Sequence, residues 1–444
     1  VLAAAAIWWP LFERGGFEPH GQAIFIAFSG AALAVAAIVA QATVAAMART
    51  APVLCLAGLA ALGGASAAWT LIAPNQTLRL AMVVGGLAAL AIVGGCVSRR
   101  FGAGAVAAIT AATAVVSGLL GLWAAAHRLL PESEWLDGAW RPGGPFEYPN
   151  TLALLQVCAL IPLGRGLLSR HLVLRFAAGG GLAVASAVIA LAGSQAGVIA
   201  AGAVLAVAVA WPKRALGCSR DSAIALCICV LLAAAASYLI AGEETHRLET
   251  AGVTHRLIGL GVTTLAIAAI APVAVRLAPS MRGRRITVAA CVLVLGLLLA
   301  LGAGSGLPGG AASGRGTLLQ VGVETALDHP LFGDGAGSFP IASSVHQPEP
   351  DVRTIYAHDL PLEMWAELGL LGLAITAGLY LSVALTAWSS AHAPDALLLA
   401  PCVLAFLLAN LIDWSWHQPA MAAVWALCLG GLIDVAQRQP GHRI

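Results

Sequence analysis

The residues best suited to chemistry lie in one run, Tyr356-Ala357-His358-Asp359-Leu360-Pro361-Leu362-Glu363-Met364-Trp365. An imidazole titrates near neutrality, so His358 suits a general base taking the proton of a hydroxyl; a solvated loop histidine is the alternative. Asp359 suits an N-cap and Pro361 a first turn, so the run predicts that His358 stands just before a helix entering the membrane. Trp365 falls where an interfacial aromatic sits. Upstream, Gly333-Asp334-Gly335-Ala336-Gly337-Ser338-Phe339-Pro340 is a tight glycine-rich turn. It lacks the Lys-Ser/Thr of a nucleotide loop and no strand precedes it. A structural turn is expected, with phosphate contact through backbone N–H groups as the alternative. Glu132, Glu134, Glu243, Glu244 and the nearby histidines show no spacing such as His-Glu-x-x-His. No metal and no other cofactor is therefore expected.

The elements that must position these residues follow from composition. The 444 residues are 60% hydrophobic and 10% charged, with mean hydropathy +0.89. A soluble domain carries roughly 25% charged residues, and disorder needs low hydrophobicity, so both are excluded. The expected fold is all-α, a polytopic transmembrane helical bundle of about 14 spans. Apolar runs lie at 21–47, 52–72, 78–97, 102–127, 150–168, 172–190, 193–211, 222–241, 256–277, 286–302, 367–389, 395–412 and 419–437, and 1–12 reads as a shortened span rather than a signal peptide. Three parts are expected: a bundle over 1–302, a large extracytoplasmic loop over 303–366 carrying the active site, and C-terminal spans over 367–444. Within the loop, a glycine-rich hinge (302–316) precedes an amphipathic interfacial helix over 317–328, which His329-Pro330 ends.

Charge sets the orientation. With the N-terminus inside, the inside loops hold 15 of the 23 basic residues and only three acids, Asp221, Asp395 and Asp434. Both termini are therefore expected in the cytoplasm. All nine cysteines fall in predicted spans or a cytoplasmic loop, so no disulfide framework is expected. The outer face is acidic, which excludes nucleic acid as a partner.

The order of the motifs resembles the bacterial O-antigen ligase/polymerase superfamily. His358-Asp359, nine further residues and Gly369-Leu370-Leu371-Gly372 are similar to its histidine signature. Arg315, then His329-Pro330-Leu331-Phe332-Gly333-Asp334-Gly335-Ala336-Gly337-Ser338-Phe339, is similar to the stretch before it. Tyr148-Pro149-Asn150-Thr151-Leu152-Ala153 and Asp413-Trp414-Ser415-Trp416-His417-Gln418-Pro419 resemble flanking motifs, so the resemblance runs from about residue 141 to 430. It implies a GT-C-like, metal-independent, inverting glycosyltransferase of the bacterial cytoplasmic (inner) membrane. Its donor would be a polyprenyl-pyrophosphate-linked glycan and its acceptor a hydroxyl on a glycan, lipid or protein, with the site on the extracytoplasmic face. His358 matches the acceptor-activating base. Arg315 matches an arginine holding the pyrophosphate, a task suited to a guanidinium fork.

Two departures stand out. Where the family carries Ser-Arg-Gly at a short outer turn, this chain reads Gly193-Ser194-Gln195-Ala196-Gly197, so Gln195 brings a hydrogen bond and no charge. Asp359 replaces the usual amide or hydroxyl beside the histidine, and a carboxylate there favours imidazolium. Arg247 and Arg256, in the repeated Thr-His-Arg-Leu of 245–248 and 254–257, are candidates for the missing cation, with snorkelling to the interface as the alternative for Arg256. Arg141 is another candidate, against a solvated loop residue. Asp413 either faces the same cavity or ends a helix. The rival functions are a transporter or flippase of a lipid-linked or anionic substrate, and a degenerate, non-catalytic member of the family.

Overall fold

Long runs of alanine, leucine and valine suit helices, and backbone in hydrocarbon must satisfy its own hydrogen bonds. The computed structural model describes residues 1–136, 139–211, 216, 218–237, 311–347 and 354–439. Its helices are α1 (Leu2–Phe12), α2 (Pro19–Val39), α3 (Gln41–Ala48), α4 (Ala51–Ala65), α5 (Pro74–Phe101), α6 (Ala103–His127), α7 (Pro149–Gly166), α8 (Leu172–Leu191), α9 (Gln195–Ala210) and α10 (Arg220–Ser237). After these come α11 (Ala311–Asp328), the single turn α12 (Phe339–Ala342), α13 (Leu360–Ser390), α14 (Ala396–Ala409) and α15 (Pro419–Gln437). Proline opens α2, α5, α7 and α15, where its missing N–H costs nothing. The protein is thus an all-α polytopic membrane protein. Seven of the described helices are long and apolar enough to cross a membrane: α2, α4 with its 3-10 extension to Ala68, α5, α6, α8, α13 and α15. The predicted spans 256–277 and 286–302 lie outside the described residues.

Three local expectations are corrected. The interfacial helix begins at Ala311, not 317, so Gly314, Arg315 and Gly316 are helical rather than part of a hinge. Glycine inside a helix costs roughly 1 kcal/mol; at Gly322 the close approach of α13 requires it. Val321, Thr325 and Ala326 are buried, and a Cβ on Gly322 would meet Leu362 Cδ2 at 2.6 Å. The span predicted from 367 begins at Leu360, with a break at Gly369. Finally, residues 128–149 hold an antiparallel hairpin, β1 (Ser133–Leu136) paired with β2 (Ala139–Pro142).

The chain forms two compact units. The first comprises 1–106, 308–390 and 406–444. Its core is α15, in which every residue from Pro419 to Ala436 is buried. Gly94 of α5 and Gly430 of α15 let the two backbones touch, since a Cβ on either would fall on a carbonyl of the other helix. At one end of this pair the buried Asp434 accepts from Ser98 Oγ (2.8 Å) and from the guanidinium groups of Arg99 and Arg438. The second unit comprises 107–307 and 391–405. In it α7 is buried without a break from Thr151 to Ile161, and its Gln156 Nε2 donates to the Ala114 carbonyl (2.9 Å).

Candidate active site

In the first unit the glycine-rich turn and the histidine segment converge on α13. The turn docks by its backbone. Asp334 N–H donates to the Ala366 carbonyl (3.1 Å), Gly335 N–H to Glu367 (2.8 Å), and Leu370 N–H returns a bond to Pro330 (2.9 Å). Phe339 N–H donates to the carboxylate of Glu367 (3.1 Å), and Trp365 Nε1 donates to the Pro330 carbonyl (3.1 Å). These bonds occupy the N–H groups that a phosphate would need, so the structural turn is what the sequence builds. Gly369 makes the docking possible. It breaks α13 with φ 67° and ψ −165°, and a Cβ there would strike the Leu331 carbonyl.

His358 follows this frame, half-buried and left-handed at φ 55°. The segment around it is held from both sides. Ala357 N–H donates to Glu363 Oε2 (3.2 Å), and Leu360 N–H donates to the Asn410 carbonyl (2.8 Å). Asp359 caps α13 as expected, its Oδ1 accepting from Leu362 N–H at 2.8 Å. Glu363 Oε1 lies 2.6 Å from His417 Nε2, joining α13 to the break between α14 and α15. Asn410 organises that break, with Oδ1 accepting from Trp416 N–H (2.8 Å) and Nδ2 donating to Phe406 O (2.7 Å). Tyr356 lies against His417 (ring centroids 4.0 Å) and stacks on Trp414 (4.8 Å, 19°).

These groups border a cavity of about 220 Å³, mainly aliphatic, with Gln22, Tyr356, Glu363, Glu367, Trp416 and His417 as its polar wall. Trp416 and Trp425 both line it, and their indole N–H groups are buried without a hydrogen-bond partner among the described residues. Burial raises the Asp359 carboxyl above its ordinary value; the Leu362 N–H opposes this and the charge of Glu363 adds to it. Burial, then the charges of Glu363, Glu367 and Glu18, push the Tyr356 phenol up, so it stays protonated. Among the described residues no group of three or more His, Cys, Asp or Glu side chains is arranged to hold a metal ion.

Residues 180–377 match the family model described as O-Antigen ligase. This region is similar to the O-antigen ligase superfamily. The match supports, broadly, a membrane glycosyltransferase of ligase or polymerase type. No curated protein matches the chain.

The predicted site residues of this chain divide between the two units. His358, Asp413 and Arg315 belong to the first, and Arg141, Asn150 and Gln195 to the second. Arg315 lies in the second turn of α11, and Asp413 is buried just after α14 with Oδ1 accepting from Trp414 N–H (2.7 Å). Asn150 is the second residue of α7 and donates from Nδ2 to the Tyr148 hydroxyl (2.9 Å). Gln195 is the first residue of α9, which Ser194 caps through Gly197 N–H. Arg141, carried by β2, donates from Nε to the Ala192 carbonyl (2.6 Å). A Cβ on Gly193 would lie 3.0 Å from its guanidinium nitrogens, so this arginine lies against the turn that leads into Gln195. Arg247 and Arg256 lie outside the described residues. Sequence reasoning missed Glu363, Glu367 and the pairing of His417. The available signal was two carboxylates in an apolar helix, which hydrocarbon makes expensive unless they are used.

One test arises from the cap. Because burial raises the Asp359 carboxyl, its ionised form costs stability; the cost is absent below the unfolded value, grows as pH rises from that value to the raised one, and is complete above it. Asp359→Asn keeps a good cap and removes the charge. Its melting temperature at pH 7 is expected to equal or exceed that of the parent chain. The acidic limb of its pH–rate profile is expected to move to lower pH, because no carboxylate then favours imidazolium next door. A melting curve and a pH–rate profile check both.

Proposed function

We propose that the chain transfers a glycan from a polyprenyl-pyrophosphate carrier to a hydroxyl of a glycan, lipid or protein acceptor, at the extracytoplasmic face of a bacterial cytoplasmic membrane. The observation that carries this reading is His358. It is a titratable, half-buried side chain held in a left-handed conformation by bonds on both sides, inside the region matched by the family model. The acceptor hydroxyl loses its proton to His358 as its oxygen bonds to the anomeric carbon. The bond from that carbon to the pyrophosphate oxygen breaks on the opposite face, so configuration inverts and polyprenyl pyrophosphate leaves. Charge builds on the leaving oxygen, so fixed cations lower the barrier. Arg315 is the proposed pyrophosphate ligand, with Arg247 and Arg256 as further candidates. Arg141 supplies a guanidinium at the turn where Gln195 brings no charge; Gln195, Asn150 and Asp413 are proposed hydrogen-bonding residues for the substrates. The loop over 303–366 is proposed to carry the reacting histidine, and a fold of about 14 spans to enclose the carrier tail.

The test is a transfer assay with the purified chain in nanodiscs, a polyprenyl-pyrophosphate glycan and an acceptor glycan. New glycan–acceptor product with release of polyprenyl pyrophosphate is expected. Arg141→Ala is expected to raise the donor KM roughly 10- to 100-fold, the loss of one charge-assisted contact. Movement of the lipid-linked glycan across vesicles without transfer would favour a flippase.

A further inference from the structure

We infer that Glu363 and His417 form a positioning pair that holds His358 in its reacting place; this rests on the reading of His358 as the base. A carboxylate 1% exposed within a membrane helix is costly, and nearby Glu367 shows what such a group is used for here. Glu367 receives Phe339 N–H and so fixes the glycine-rich turn. Glu363, one turn earlier, serves the other loop. One oxygen receives the N–H of Ala357, the residue just before His358, and the other meets His417 Nε2 at 2.6 Å. The ring of Tyr356, two residues before His358, covers the face of His417. The backbone after His358 is tied at Leu360 to Asn410, which also receives Trp416 N–H beside His417.

A non-glycine residue at positive φ persists only when its surroundings over-determine it. At His358 the over-determination comes from this pair and the chain break that carries His417. The pair acts through geometry. The hydrogen-bonded carboxylate and imidazole fix where the loop sits, and the loop fixes where the His358 ring can reach.

The experiment compares Glu363→Gln, His417→Phe, His417→Gln, His358→Ala and the double variant His358→Ala/His417→Phe in the nanodisc transfer assay, each beside its melting temperature. Glu363→Gln and His417→Phe are expected to lower kcat roughly 10- to 100-fold, the scale of a 1 Å misplacement, with acceptor KM unchanged. His417→Gln still donates to Glu363 and is expected to recover most of that loss. In the His358→Ala background, His417→Phe is expected to add no further loss, because its effect passes through the missing ring. Several outcomes overturn the pairing: a His417→Gln chain as slow as His417→Phe, losses that add in the double variant, or losses that only follow the amount of folded protein. A dead His358→Ala chain beside a fully active His417→Phe chain overturns the positioning role alone. A fully active His358→Ala chain overturns the base reading, and the positioning role with it.

Discussion

His358→Ala is expected to lower glycan transfer by roughly 10²- to 10⁴-fold in kcat, the range supplied by a positioned general base. The acceptor hydroxyl is a poor nucleophile at neutral pH, and its proton must leave as the new bond forms. No other side chain of the segment 354–360 does this work as well. Asp359 is engaged as the helix cap, and the Tyr356 phenol is held protonated by burial and three nearby carboxylates. Alanine retains a Cβ, so the left-handed strain at φ 55° remains and the fold should survive. The variant should therefore purify in parental yield and melt close to the parent. Its residual activity should lose the acidic limb of the pH–rate profile that His358 imposes. Activity within twofold of the parent would remove the base assignment.

The second large effect is expected at Gly369. Its φ of 67° with ψ of −165° lies in a region that essentially only glycine enters, and forcing another residue there costs about 1–3 kcal/mol. The added Cβ of Gly369→Ala would also collide with the Leu331 carbonyl and approach Phe332 N at 2.6 Å. Relief requires the 330–335 backbone to move away, which breaks the bonds from Asp334, Gly335 and Leu370. Each such bond contributes about 1 kcal/mol. The sum is a large part of the roughly 5–15 kcal/mol that holds a typical protein folded. Gly369→Ala should therefore be recovered in low yield and melt well below the parent. Fluorescence-detected size exclusion of the solubilised membrane fraction measures this directly. A parental elution profile and melting temperature would show that the close approach is not needed.

Much of this was legible in the residues. Apolar runs mark helices because hydrocarbon demands internal hydrogen bonding, and Asp359 and Pro361 mark the start of α13 because a cap and a first-turn proline have local chemistry. The hairpin escaped notice although Asp137-Gly138, a favoured hairpin dipeptide, stands between its strands. Four-residue strands carry too little alternation to register beside long apolar runs. The glycine-rich turn left two readings open because glycine spacing permits a tight backbone without saying what its N–H groups meet. Only the approach of α13, some 30 residues later in the chain, settles that they meet Ala366 and Glu367. The Glu363–His417 pair spans 54 residues and leaves no periodic trace. Nothing in the sequence sets Arg141 against the turn at Gly193, because that proximity is made by β2.

The left-handed backbone at His358 has an evolutionary consequence. Glycine and asparagine enter that conformation at little cost, so random drift under selection for heat tolerance alone would be drawn toward them at this position. A lineage that stopped using the activity would shed the imidazole early and gain robustness by doing so. On the role proposed for His358, the residue at this position is expected to separate working relatives from retired ones, and it can be read before any assay is run.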